Sequence, residues 1–320
     1  MILHENKREF TEAIQAASDH FNIPPVFIEK DYWITRVLKD LSKSKYANEI
    51  VFKGGTSLTK AYKLIQRFSE DVDIAVLNAS LMSGNQVKTL IRNVEKDISK
   101  DLTEIEVSGV TSKFSKFRKS VFTYPLTGNF KFSAGISDKL IIEVNSFANP
   151  FPYHKLEIKS FITEFLELTD SKDLIKKYDL ESFTLNVLDK KQTLLEKIVS
   201  LIRFSFDENV NESIASKIRH FYDIHFLLTN EECAKYIQSD KFKEDFKELV
   251  LHDKLAFDEP EGWKEKDIDD SPLINEFNKI WDNVKSKYTS ELTALSYEII
   301  PEEKDVKKSF ENVIEIIKKD

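Results

Sequence analysis

The apolar residues of this chain change their period near Leu188, and that change limits the folds open to it more than any other feature. Before it, short strand-like runs alternate with helical stretches. After it, TLLEKIVSLIRF, ASKIRHFYDIHFLL, KFKEDFKELVL, INEFNKIWDNVKSKY and VKKSFENVIEIIKK all repeat at helical spacing. The pattern predicts two lobes, a mixed α/β lobe over 1–188 with a helical preamble and an all-helical lobe over 189–320, in the α+β class. With 320 residues and 41% hydrophobic content, the chain can bury a core without staples.

Within the first lobe, Pro24-Pro25 break a helical pattern into two helices, the second reading VFIEKDYWITRVLKDL. NEIVFKGG then reads as a strand ending at a glycine pair, TSLTKAYKLIQRF as a helix and SEDVDIAVL as a second strand. Further strands are expected at FTYPL, NFKFSAG and KLIIEVNSF. The acidic stretch DEPEGWKEKDIDDSP reads as a solvated surface loop.

Composition removes several classes of function. With 55 acidic against 47 basic residues the net charge is −8, so no global positive field draws in nucleic acid, and any such contact must be local. Cys233 is the single cysteine and the six histidines are scattered, which excludes an internal disulfide and a zinc cluster and fits a reducing cytoplasm. The charged N-terminus lacks the apolar core of a signal peptide, and no run approaches the ~18 apolar residues of a membrane span.

The chemistry is concentrated in three places. Asp71 and Asp73 lie two apart in an apolar strand, so their carboxylates share a face and repel unless a cation lies between them. Mg²⁺, or Mn²⁺ in its place, takes carboxylate and phosphate oxygens and answers that repulsion; the bland alternative is one aspartate in solvent and the other capping a turn. Gly54-Gly55-Thr56-Ser57 precede the expected helix, where backbone N–H groups can approach a phosphate, or the four residues form a plain capped turn. Glu143, alternating out of IIEVN, is a third carboxylate for the metal or a structural residue.

Lys53-Gly54-Gly55-Thr56-Ser57-Leu58-Thr59-Lys60-Ala61-Tyr62, followed by Arg67-Phe68-Ser69-Glu70-Asp71-Val72-Asp73, resembles the first motif of the AbiEii/AbiGii toxin family, in the DNA polymerase β-like nucleotidyltransferase superfamily. The resemblance runs from Glu29-Lys30-Asp31-Tyr32-Trp33 through Glu143 to Leu195-Glu196-Lys197-Ile198 and the segment Lys217–Ile224, about residues 25–228. It implies a metal-dependent transfer of a nucleotide from a nucleoside triphosphate to an acceptor, the RNA 3′ end of tRNA in related members, within toxin–antitoxin and phage-abortive systems. A protein or small-molecule hydroxyl is the alternative acceptor, and a silent nucleotide-binding module the alternative class.

The same resemblance implies the roles. Asp71, Asp73 and Glu143 hold metal; Lys53, Gly54, Gly55, Thr56, Ser57, Lys60, Arg67 and Ser69 surround the nucleotide. Lys197 steadies the phosphates, and Asp223 positions or deprotonates the acceptor, the helical lobe bringing both to a cleft. A monomer is expected, with any cognate antitoxin acting without a stable complex. Outside the motif, Lys113, Lys116, Arg118 and Lys119 stand among aromatics in SKFSKFRKSV, either along an RNA backbone or on a charged edge strand. Tyr32 and Trp33 are expected in the core, and Glu29 and Asp31 beside basic neighbours.

Overall fold

The computed structural model describes residues 1–127 and 138–319; the strand expected at NFKFSAG lies outside them. Two compact units divide the chain, one of Met1–Lys63 with Phe68–Leu188 and one of Leu64–Arg67 with Asp189–Asp320. Among the described residues no helix is long and apolar enough to cross a membrane.

The first unit opens with α1 (Lys7–Phe21) and α2 (Pro25–Lys43), Pro25 standing at the start of α2 where its missing N–H costs nothing. Then come β1 (Ile50–Lys53), α3 (Gly54–Lys60), β2 (Asp71–Val76), α4 (Gly84–Ile98), β3 (Thr103–Ile105), β4 (Ser112–Lys113), β5 (Phe117–Thr123), β6 (Lys139–Asn145), β7 (Tyr153–Ile158), α5 (Phe161–Leu168), α6 (Lys172–Lys177) and β8 (Phe183–Leu188). The strands form one mixed sheet in the order β3-β5-β6-β2-β1-β8-β7, with β4 also paired to β5. β2 runs parallel to β6 and antiparallel to β1, while β1 runs parallel to β8.

Alternation along β2 and β6 buries Val72, Ile74, Leu140, Ile142 and Val144. α4 packs on β6 and β5, and α2 packs on α4. Ser83 caps α4 through a reciprocal bond with Gln86, which fixes where that helix begins. Tyr32 and Trp33 are core residues, the indole of Trp33 stacked on Tyr124 at 5.6 Å.

Several expectations are corrected. The strand over FTYPL starts earlier, at Phe117, and stops at Thr123 before Pro125. SKFSKFRKSV thus divides: β5 pairs with β6 on one side and with β3 and β4 on the other and is no edge, whereas Ser112–Lys113 of β4 pair with β5 alone and do form an edge. α3 ends at Lys60, not at Arg67, because Lys63 takes a left-handed φ of 55°. Glu29 accepts the Thr127 N–H at 2.8 Å and has no basic partner among its described hydrogen bonds and ion pairs, whereas Asp31 does pair, with Lys60.

The second unit is helical: α7 (Lys190–Phe204), α8 (Val210–Ser216), α9 (Ile218–Thr229), α10 (Glu231–Ile237), α11 (Asp240–Ala256), α12 (Pro272–Asn275), α13 (Phe277–Leu295) and α14 (Glu303–Ile317). α9 is its centre, packed on α7, α10, α13 and α14, with Phe221 meeting Trp281 at 5.2 Å and Phe310 at 4.9 Å. The acidic stretch after α11 is not wholly solvated: Trp263 is fully buried and its indole N–H donates to the Phe257 carbonyl at 2.9 Å. Leu64–Arg67 belongs here because Arg67 bridges Ser296 and the Tyr297 N–H donates to the Gln66 carbonyl at 3.2 Å.

Candidate active site

The register between β2 and β6 sets Asp73 beside Glu143 and Asp71 beside Ile141. Since Val72 and Ile74 point into the core, Asp71 and Asp73 point to the opposite face, and Glu143 joins them there. Pairing extends the line both ways, with Lys53 of β1 opposite Asp73 and Lys119 of β5 opposite Glu143. A row Lys53, Asp73, Glu143, Lys119 thus crosses four neighbouring strands, one every ~5 Å. The Lys119 Nζ stands 3.6 Å from the Glu143 carboxylate.

Asp73 is the most crowded carboxylate of the row. Withdrawal from water, then the charges of Glu143 and Asp71, push its carboxyl up to about 8, against the pull of Lys53 and Lys119. It also lies against the glycine pair. Gly54 has a φ of +79°, and a Cβ added there would stand 2.0 Å from the Asp73 Oδ2. Only glycine satisfies both the left-handed backbone and the carboxylate's approach.

The residues around the pair differ from expectation. Gly54 and Gly55 begin α3 instead of preceding it. The Thr56 hydroxyl donates to the Asp71 carbonyl, tying α3 to the start of β2, and the fully buried Ser57 hydroxyl donates to the Gly54 carbonyl at 2.8 Å. Lys60 is a core residue whose Nζ is 2.6 Å from Asp31 and 2.8 Å from the Lys159 carbonyl. Thr56, Ser57 and Lys60 thus brace the site from within the protein. Lys53, Gly55 and Ser69 remain half-buried around it. Sequence reasoning also passed over Lys30, fully buried and bonded to Glu70 immediately before Asp71; the signal was a charged triplet, Glu29-Lys30-Asp31, inside an apolar helix.

Within the helical unit a second charged group forms. Arg67 donates to Asp223 through Nε and Nη2, both at 2.7 Å, and the Lys197 ammonium lies 2.8 Å from the same carboxylate. Asp223 has no exposed surface. Burial alone would raise its proton affinity, but Arg67 and Lys197 outweigh it and hold the carboxyl below its ordinary range. A carboxylate so held is an anchor for two cations and a poor proton acceptor. Arg67, 2% exposed, clamps Asp223 and lies beyond the end of α3. Lys217 lies over the Phe204 ring at 4.4 Å, and Arg219 pairs with Glu291 at 2.6 Å.

The carboxylate face fits a divalent cation by its donor chemistry. Among the described residues no three His, Cys, Asp or Glu side chains close around a point as a protein-only cage would. A hard cation that keeps waters and takes phosphate oxygens needs only one or two carboxylates from the protein. Asp73, crowded by two like charges, is where such a cation would relieve the most repulsion.

A family model described as "Nucleotidyl transferase AbiEii toxin, Type IV TA system" matches residues 36–315. The chain belongs to the AbiEii family. It is a nucleotidyltransferase, and its class is that of the toxins of type IV toxin–antitoxin systems, which implies a nucleoside triphosphate substrate and an antitoxin. Among solved structures, MenT4, a nucleotidyltransferase toxin from Mycobacterium tuberculosis H37Rv, aligns at 15% identity over 95% of this chain and 98% of that one, with a TM-score of 0.47. No curated protein sequence matches the chain.

Proposed function

We propose that this AbiEii toxin transfers a nucleotide from a nucleoside triphosphate to the 3′ end of an RNA, with tRNA the first candidate, and that it does so as a monomer with Mg²⁺. The observation that carries the metal-dependent part is the alignment of Asp73 with Glu143 on one face, two residues from Asp71. The RNA acceptor is what the motif's resemblance to tRNA-modifying relatives implies.

Asp71, Asp73 and Glu143 would hold the cation, with Mn²⁺ able to replace Mg²⁺. When bound, it supplies neutralisation of the triphosphate and a lowered pKa at the acceptor hydroxyl. Gly54 keeps Asp73 in place, and Lys53 beside it offers a cation to the triphosphate. The acceptor oxygen forms a bond to the α-phosphorus as the bond to the β-phosphate oxygen breaks, and pyrophosphate leaves. In this reading the hydroxyl proton passes to one of the carboxylates on that face. Lys197 is assigned to the phosphates and Asp223 to holding Lys197 and Arg67 in position. The antitoxin in this reading acts without a stable complex.

The test is incubation of the protein and Mg²⁺ with each labelled nucleoside triphosphate, total RNA and total protein. Label at RNA 3′ ends is the expected result. Label on protein alone would replace the acceptor, and no transfer with any triphosphate would overturn the mechanism.

A further inference from the structure

The carboxylate row does not stop at Lys119. Ser112 of β4 is the register partner of Lys119, so the line Asp73, Glu143, Lys119, Ser112 continues over β2, β6, β5 and β4 on one face. Beyond Ser112 the chain turns at Phe114–Lys116 to enter β5. The Phe114 N–H donates to the Phe117 carbonyl at 2.8 Å, so Phe114 sits opposite Phe117, two residues from Ser112 and on the same face.

Phe114 is 72% exposed, an unusual place for an aromatic ring. The turn that carries it is braced, because the Lys116 carbonyl accepts from both the Ser146 N–H at 3.0 Å and the Ser146 hydroxyl at 3.1 Å. Lys116, two residues on in the same turn, is exposed, and Lys119 shares the face of Glu143 by register. Three strand spacings and two residues along the chain put Phe114 about 16 Å from Asp73.

We propose that the β4–β5 turn is the acceptor-strand platform: Phe114 stacks on an unpaired base a few nucleotides upstream of the reacting 3′ end, and Lys116 and Lys119 follow the intervening phosphates. A braced, exposed ring between cations is what a single strand needs, since every base offers a π-face and the backbone needs only positive charge. It also answers the net charge of −8, which requires local contact with RNA. The inference rests on the RNA acceptor proposed above and adds the surface that holds it.

The experiment compares transfer to an RNA of about 12 nucleotides and to a dinucleotide that ends short of Phe114. The wild-type protein should prefer the longer acceptor in kcat/KM, through KM. Phe114→Ala should lower that preference about tenfold, the size of one lost base–aromatic stack, and Phe114→Trp should restore it. Lys116→Glu should lower it further as salt is reduced. Since Phe114 is exposed, folding is checked by an unchanged thermal midpoint. An unchanged preference in Phe114→Ala overturns the platform and leaves the RNA reading standing; transfer to protein with none to RNA overturns both.

Discussion

Arg67 and Asp223, separated by 156 positions in sequence, are joined by two parallel hydrogen bonds of 2.7 Å. Both are almost wholly buried, and a planar guanidinium gripping a carboxylate in this way is among the stronger polar contacts a protein makes. Breaking it from one side should leave a charge unpaired in the interior. Arg67→Met should cost about 3–5 kcal/mol in urea unfolding, and Arg67→Lys should recover only part of that. In the double variant Arg67→Met/Asp223→Leu the losses should be far from additive; additive losses would mean that the two residues stabilise the helical unit independently.

The same carboxylate gives a pH signature. Its folded proton affinity is lowered, so the stability it contributes is present above the ordinary carboxylate range near pH ~4 and is lost as pH falls below it. In an Arg67→Met background that acid-side loss should shrink. A wild-type slope below pH ~4 that persists unchanged in the variant would assign it to other carboxylates.

Lys197→Met keeps the aliphatic stem and removes one of two cations from Asp223, while Arg67 still holds both oxygens. The cost should be about 1.5–3 kcal/mol, a single charged hydrogen bond. If the ammonium also serves the phosphates, transfer falls about a hundredfold in protein that is still folded. Stability lost together with near-normal transfer would make Lys197 purely structural.

Gly54→Ala places a methyl 2.0 Å from the Asp73 Oδ2 on a backbone at φ +79°. Strain of about 1–3 kcal/mol is expected, with transfer abolished because Asp73 must move. Gly84→Ala is the control. Nothing lies within 4 Å of its added methyl, so it should hold or raise stability. Equal effects of the two changes on transfer would remove Gly54 from the site.

Asp73→Asn replaces the most crowded carboxyl of the row with a neutral amide, so the thermal midpoint should hold or rise while transfer disappears. In the wild type a nucleoside triphosphate should raise the midpoint with Mg²⁺ and much less with EDTA, and the variant should lose that difference. A Mg²⁺-dependent shift that survives in Asp73→Asn would place the metal elsewhere.

The sheet strands nearest the chemistry are the ones sequence reading could find. Asp71-Val72-Asp73-Ile74 and Ile142-Glu143-Val144 alternate so clearly that strand and face are legible together, although only the register tells that Asp73 and Glu143 are neighbours. β7 gives no such signal, because Tyr153–Ile158 edges the sheet and mixes exposed polar residues with half-buried ones. The partners of the polar residues after the glycine pair were hidden for a related reason. Hydroxyls and a lysine next to glycines look poised for phosphate, yet Thr56, Ser57 and Lys60 are turned inward by the helix that begins at Gly54, and their partners are supplied by Asp71, Gly54 and Asp31. Arg67 shows the limit most plainly: nothing local says that the chain leaves its helix at Lys60 and delivers a side chain to α9.

The lysines at the two ends of the carboxylate row, Lys53 and Lys119, act as tethered counter-ions. Small zinc domains, with nothing else to hold them, must find their ion in order to fold and are unfolded by a chelator. Here two cations of the chain itself offset part of the carboxylates' mutual repulsion, so folding does not have to wait for an ion. If the proposed metal site is right, EDTA should stop transfer while leaving the unfolding midpoint of the protein unchanged.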